Sequence, residues 1–167
     1  MALLRTRRVA CLALLAALSP TAAASENSFD LNGAWKLERT ENFERYLKES
    51  GAPWWKRKLA QLGSSRMRQT IQHDGSRFEI ASENPVESRT DRFVADGVTE
   101  RSVETASGDM MTWTARVEGA ALVIDGHGDL GHRIIHREIV NGTMVMTLFN
   151  PDADTQCKLY FERAVED

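Results

Sequence analysis

Arg137 is the residue whose type least fits its neighbours. Asn141-Gly142 is a favoured pair for a two-residue hairpin turn, and such a turn sets the pairing around it. Ile139 then faces Met144, Arg137 faces Met146, and Ile135 faces Leu148. Five of these six side chains, which share one sheet face, are apolar. The opposite face carries His136, Glu138, Thr143 and Thr147 with Val140 and Val145. A guanidinium buried alone on an apolar face is costly, so Arg137 must find a carboxylate, water or a ligand inside. Ile135, Ile139, Met144, Met146 and Leu148 are expected to line the same interior.

Other residues suggest chemistry that their surroundings do not support. Gly126, Gly128 and Gly131 have the spacing of a dinucleotide-binding loop after the apolar run Ala120–Ile124. That function needs a helix N-terminus next, to hold pyrophosphate. A strand and a tight hairpin follow instead, so the stretch reads as a glycine-rich turn and no cofactor is expected. His127, His132 and His136 lie near Asp125 and Asp129. If 135–139 is a strand, His132 and His136 share a face about 13 Å apart, at about 3.3 Å per residue, too far to share an ion. No metal site is expected. His73 has no partner at ligand spacing, and neither a nucleophile elbow nor a paired-carboxylate motif is visible. The expectation is therefore a protein without catalytic residues, not an enzyme.

Two surface features remain. Lys56, Arg57 and Lys58 stand beside Trp54 and Trp55 in an otherwise acidic chain. They read either as a solvated basic face over a buried tryptophan pair or as a surface for transient contact with an anionic membrane. Asn141-Gly142-Thr143 is an N-glycosylation sequon at a turn tip, so Asn141 could carry a glycan.

The elements that position these residues are mostly strands. Only Glu41–Leu62 reads as helix. Thr40 is placed to cap a first segment with Phe43, Tyr46 and Leu47 at helical spacing, and Gly51 stops it. Pro53 opens a second segment through Trp54, Trp55, Leu59 and Leu62 that ends near Gly63. Elsewhere period-two alternation between turn signals gives ten candidate strands, the pattern of an antiparallel barrel or sandwich. The signals are Asp74-Gly75, Asn84-Pro85, Asp96-Gly97, Ser107-Gly108, Glu118-Gly119, Gly126–Gly131, Asn141-Gly142 and Asn150-Pro151.

With 167 residues, 42% of them apolar and 27% charged, the chain can bury one core and is not of disordered composition. Arg5, Arg7 and Arg8 precede the uncharged run Val9–Leu18, and Ala22 and Ala24 follow at small-residue cleavage positions. Residues 1–24 therefore read as a secretory signal peptide, which makes the expected location the outside of the cell or the lumen of the secretory route. Three of the 21 basic residues and none of the 24 acidic ones lie there, so residues 25–167 carry six more acids than bases. Nucleic acid is excluded as a partner on that balance. Cys11 leaves with the signal, so Cys157 remains without a disulfide partner, and free cysteine more often packs as a small hydrophobe than reacts. A single domain over 25–167, acting as a monomer, is expected.

The run Gly33–Ser50 resembles the opening signature of the fatty-acid- and retinoid-binding protein family. It combines Gly33 two before Trp35, Lys36-Leu37, Glu41-Asn42-Phe43, and Tyr46-Leu47; Ser50 departs, where the family usually has an apolar or basic residue. Arg137–Leu148 resembles the family's penultimate hairpin. With Arg57-Lys58 and Lys158-Leu159-Tyr160, the likeness runs from residue 28 to residue 163 in the family's order. It implies an all-β fold, a ten-stranded antiparallel up-and-down barrel of calycin type with a two-helix cap after the first strand. It also implies a water-filled cavity for a long-chain fatty acid or retinoid. The signal peptide is the main departure from the family, most of whose members are cytoplasmic, and together the two readings give an exported carrier of such a ligand.

In that family an arginine on the penultimate hairpin, with an arginine and a tyrosine two residues apart on the last strand, holds the ligand carboxylate. Arg137 and Tyr160 match, and Lys158 replaces the second arginine, keeping charge but losing the planar fork. The resemblance thus turns Lys158 and Tyr160 inward, whereas alternation alone turns Cys157, Leu159 and Phe161 inward. It also places Trp54 to Lys58 at a portal, with Val86 on its opposite lip. A retinoid or lipocalin-type binder and a calycin-fold enzyme are the alternatives. The helix pair directly after strand one and the missing disulfide oppose a typical lipocalin, and the missing catalytic constellation opposes the enzyme.

Overall fold

The computed structural model describes residues 29–105, 108–129 and 131–164. The signal-peptide reading of 1–24 lies outside them, as does Ser107 of one turn signal. Ten strands and two helices follow in chain order: β1 (Gly33–Glu41), α1 (Phe43–Glu49), α2 (Trp54–Ser64), β2 (Arg68–Asp74), β3 (Arg77–Glu83), β4 (Ser88–Val94), β5 (Arg101–Glu104), β6 (Met110–Glu118), β7 (Ala121–Gly128), β8 (Gly131–Val140), β9 (Thr143–Asn150) and β10 (Thr155–Arg163). No helix among the described residues is long and apolar enough to cross a membrane.

The strands form one antiparallel sheet in the order β4-β3-β2-β1-β10-β9-β8-β7-β6-β5. The sheet curls until β4 meets β6, where Phe93 packs on Trp113, and an isolated bridge joins Asp96, just after β4, to Arg116 of β6. This is the expected up-and-down barrel. The β8–β9 register is the one the Asn141-Gly142 turn demands: Ile139 opposite Met144, Arg137 opposite Met146, Ile135 opposite Leu148. Asn141 and Gly142 both take positive φ, 52° and 81°, as a type I′ turn requires.

Local chemistry explains where expectation and structure part. Thr40 does not cap α1, because β1 continues to Glu41 and Asn42 makes the turn with φ 58°. Asparagine tolerates that left-handed conformation better than most residues. The Gly126–Gly131 stretch is not a long turn, since β7 runs through Gly128 and β8 begins at Gly131. A Cβ on Gly128 would lie 2.0 Å from the Met110 carbonyl oxygen. Glycine there permits the close passage of β6 and β7 rather than a phosphate cradle.

The closed end of the barrel is apolar. Trp35, Leu31, Ile71 and Phe161 are almost fully buried, and the Trp35 indole donates to the Leu31 carbonyl at 2.9 Å. Beside them Phe29, His73, Phe78, Phe93 and Trp113 pack ring against ring, with centroids 4.9 to 6.1 Å apart: His73, Phe78 and Phe93 are stacked, and Trp113 meets Phe93 edge-on. The other end is covered by α1 and α2. Thr155 donates to Glu49 at 2.5 Å and the Asn150 amide donates to Ser50 at 2.9 Å, which ties α1 to the ends of β9 and β10.

Candidate functional site

Arg137 projects into the barrel as the β8–β9 register requires. It is 6% exposed, and its Nε and Nη1 are buried with no hydrogen-bond partner among the described residues. Its directly opposite neighbour Met146 belongs to the buried core with Met144, and Ile135, Ile139 and Leu148 pack against that core. Burial pulls the guanidinium down to about 10, while Asp91 opposes that effect and Arg89 adds to it. At neutral pH the group stays charged. Buried donors without acceptors are what a ligand with one anionic group and an apolar body completes.

Asp91 and Arg89 are part of the site that sequence reasoning missed. On β4 they share a face with buried Phe93, as the register against Ser82, Ile80 and Phe78 shows. Arg89 grips Asp91 with two contacts, Nε to Oδ2 at 2.9 Å and Nη2 to Oδ2 at 2.8 Å. On β2, Gln69 is 4% exposed; its amide nitrogen donates to Ser82 at 3.2 Å, and its Oε1 is buried with no partner among the described residues. The signal was present in the alternation, since Arg89 and Asp91 have the parity of Phe93. Charged residues on the face of an aromatic mark an inward polar wall. Arg89 also reaches Glu87, Nη1 to Oε1 at 3.9 Å, so its charge is met by carboxylates of its own and Arg137 is left as the unpaired cation among the described interior residues.

The mouth lies beneath α2. A cavity of ≈ 310 Å³ runs from Leu59, Gly63 and Met67 past Val86 and Glu87 down to Met146, Leu148 and Leu159. A Cβ on Gly63 would sit 3.7 Å from the Val86 side chain, so Val86 lies against α2 in the wall of this cavity. The tryptophans are not a buried pair: Trp54 is 70% exposed and Trp55 46%. Lys56, by contrast, is not a free surface charge. Its ammonium is held by both oxygens of Asp109, at 2.5 and 2.6 Å, with both side chains largely buried. Arg57 donates to the Ala52 carbonyl at 2.8 Å. Lys58 is exposed and reaches Gln61 at 3.4 Å.

The last strand corrects an expectation. Cys157, Leu159 and Phe161 are buried to 1%, 1% and 0% exposure, opposite Leu148, Met146 and Met144. Residues directly opposite across an antiparallel pair share a face, so Lys158 and Tyr160 point out of the barrel. Turning them inward would bury an ammonium and expose three apolar side chains. Outside, the Tyr160 hydroxyl donates to Glu41 at 2.8 Å and the Arg39 guanidinium lies 3.4 Å over its ring. A bulge between Leu37 and Arg39 makes this possible by shifting the β1 register. The carboxylate-holding trio therefore does not assemble here, and Arg137 is the member the interior retains. Asn141 is exposed at its turn tip.

A nearly closed ten-stranded barrel, covered at one end by two helices after its first strand and holding a charged group among apolar walls, is a calycin-type binding barrel. The chain belongs to the fatty-acid- and retinoid-binding protein family. It is 33% identical over 116 residues to fatty acid-binding protein 12 of Rattus norvegicus, covering 70% of this chain and 85% of that one. It is 30% identical over 119 residues to sodium/calcium exchanger regulatory protein 1 of Doryteuthis pealeii, covering 71% and 86%. The solved REP1-NXSQ fatty acid transporter superposes with a TM-score of 0.71 at 29% identity, over 83% of this chain and 98% of the other. No family model matches the chain.

Proposed function

We propose that the protein is an exported carrier that holds a long-chain fatty acid, or a similar apolar carboxylate, inside the barrel and delivers it without chemistry. The observation that carries this reading is the buried, unpartnered guanidinium of Arg137 beside a cavity walled by Met146, Leu148 and Leu159. A carboxylate supplies the two missing acceptors and pairs the Arg137 charge. An acyl chain fills the apolar space. The names of the rat relative and of the solved transporter, both fatty-acid proteins, support the ligand class.

The ligand enters between α2 and the turn that carries Val86. Exposed Trp54 and Trp55, with Lys58, form the face that meets an anionic membrane surface, indoles at headgroup depth and ammonium against lipid charge. Export rests on Arg5, Arg7 and Arg8 before the apolar run Val9–Leu18 and on Ala22 and Ala24.

Titration of delipidated protein with a fluorescent fatty-acid analogue should saturate near one equivalent per chain, with oleate displacing it. Failure of oleate, palmitate and retinoic acid to displace the probe refutes the carrier reading. N-terminal sequencing of the protein from its source should begin near Ser25, and an intact Met1 refutes export.

A further inference from the structure

Away from the cavity, the outer face of β7 and β8 brings together three metal-ligating side chains. His127 and His132 stand directly opposite each other across the strand pair, and their rings stack with centroids 4.0 Å apart. Asp125, two residues before His127 and on the same face, places Oδ1 2.7 Å from His132 Nε2. One ligand atom from each of the three lies within 4.8 Å of the others. We propose that Asp125, His127 and His132 form a surface site for a divalent transition-metal ion of the zinc, nickel or copper class.

The donor set fits that class, because neutral imidazoles favour borderline-soft ions and a carboxylate adds one negative charge. Zinc bonds of about 2.1 Å at a tetrahedral angle set neighbouring donor atoms about 3.4 Å apart. Asp125 and His132 thus need to part by well under an ångström. His132 gives up its Nε2 proton position and keeps its proton on Nδ1. His127 is exposed and turns its ring toward the ion without repacking the core. Asp125 is oriented from behind: Arg116 Nη1 lies 3.8 Å from Oδ2 and is itself held by Glu118, which leaves Oδ1 for the ion. Solvent supplies the remaining positions. The spacing along one strand pointed to His132 with His136, which cannot share an ion. The pairing across two strands supplies His127 instead.

The test is calorimetric titration of the tag-free, chelator-treated protein with zinc chloride and, separately, nickel chloride. One ion per chain should bind. His127→Ala and His132→Ala should each weaken binding at least about tenfold, and Asp125→Asn should weaken it measurably. His136→Ala, on the same face but beyond reach, should leave it unchanged. The metal-free variants should unfold at the same temperature as the parent, apart from a small loss where the Asp125–His132 contact is removed. Binding that survives His127→Ala at full strength, or that is lost with His136→Ala, overturns the site, as does the absence of any one-to-one binding in the parent.

Discussion

Replacing Arg137 by leucine separates a ligand anchor from a structural group, because the two roles predict opposite changes in stability. In the free protein Nε and Nη1 are buried without partners, and burial brings the group from 12.5 to about 10. At about 1.4 kcal/mol per pKa unit, holding that charge inside costs roughly 3 kcal/mol. Near pH 7 the arginine is protonated in both the folded and the unfolded chain, so the whole cost is present. Leucine removes it and matches Ile135, Ile139 and Met146 around it, while leaving a smaller side chain in the same space. The delipidated Arg137→Leu protein should therefore be about 1–2 kcal/mol more stable than the parent in urea unfolding. Fatty-acid binding should move the other way, losing about 1.5–3 kcal/mol for a charge-assisted hydrogen bond, or roughly 10- to 150-fold in Kd. Oleyl alcohol, which lacks the charge, should change far less than oleate. A variant that unfolds at lower urea than the parent and still binds oleate with parental affinity refutes this reasoning and makes Arg137 a structural residue.

Three further outcomes follow from the geometry. Lys158→Leu and Tyr160→Phe should each leave oleate affinity within about twofold in the displacement assay, since both side chains face outward, and Tyr160→Phe should cost under about 1 kcal/mol of stability for its exposed bond to Glu41. Lys56→Met should speed ligand release several-fold in stopped-flow fluorescence, because it removes the bond from α2 to Asp109 beside the mouth. Cys157, with its thiol pushed up to about 12 by burial, should resist a thiol-specific reagent at pH 8 in the folded protein and react promptly in denaturant.

What was legible in the sequence depended on how much of each contact was local. A two-residue turn determines every pairing beside it, so the hairpin of Arg137 to Leu148 could be read to the residue. The α2 boundaries followed from Pro53 and Gly63 for the same reason. The face of β10 was legible in the alternation of Cys157, Leu159 and Phe161, and the family likeness of Lys158 and Tyr160 pointed the wrong way. That likeness carries chemistry but no register, and the register of β10 comes from its pairing with β9 after the turn at Pro151–Ala153. Arg89 with Asp91, the Lys56–Asp109 bond and the His127–His132 pair depend on contacts between elements. Their residue types were visible, and their meeting was a property of the closed sheet.

The pairing of β1 with β10 has a consequence for how the chain is made. Trp35 lies opposite Arg163, and Glu41 opposite Lys158, so one edge of the first strand has no partner until residues 155–163 have been synthesised. During translation that edge presents a row of unsatisfied amides and carbonyls next to Trp35 and Leu37, the sort of surface that chaperones cover and that misassembles when left open. Folding of the barrel is consequently a late, all-at-once event, limited by a contact that spans nearly the whole described chain.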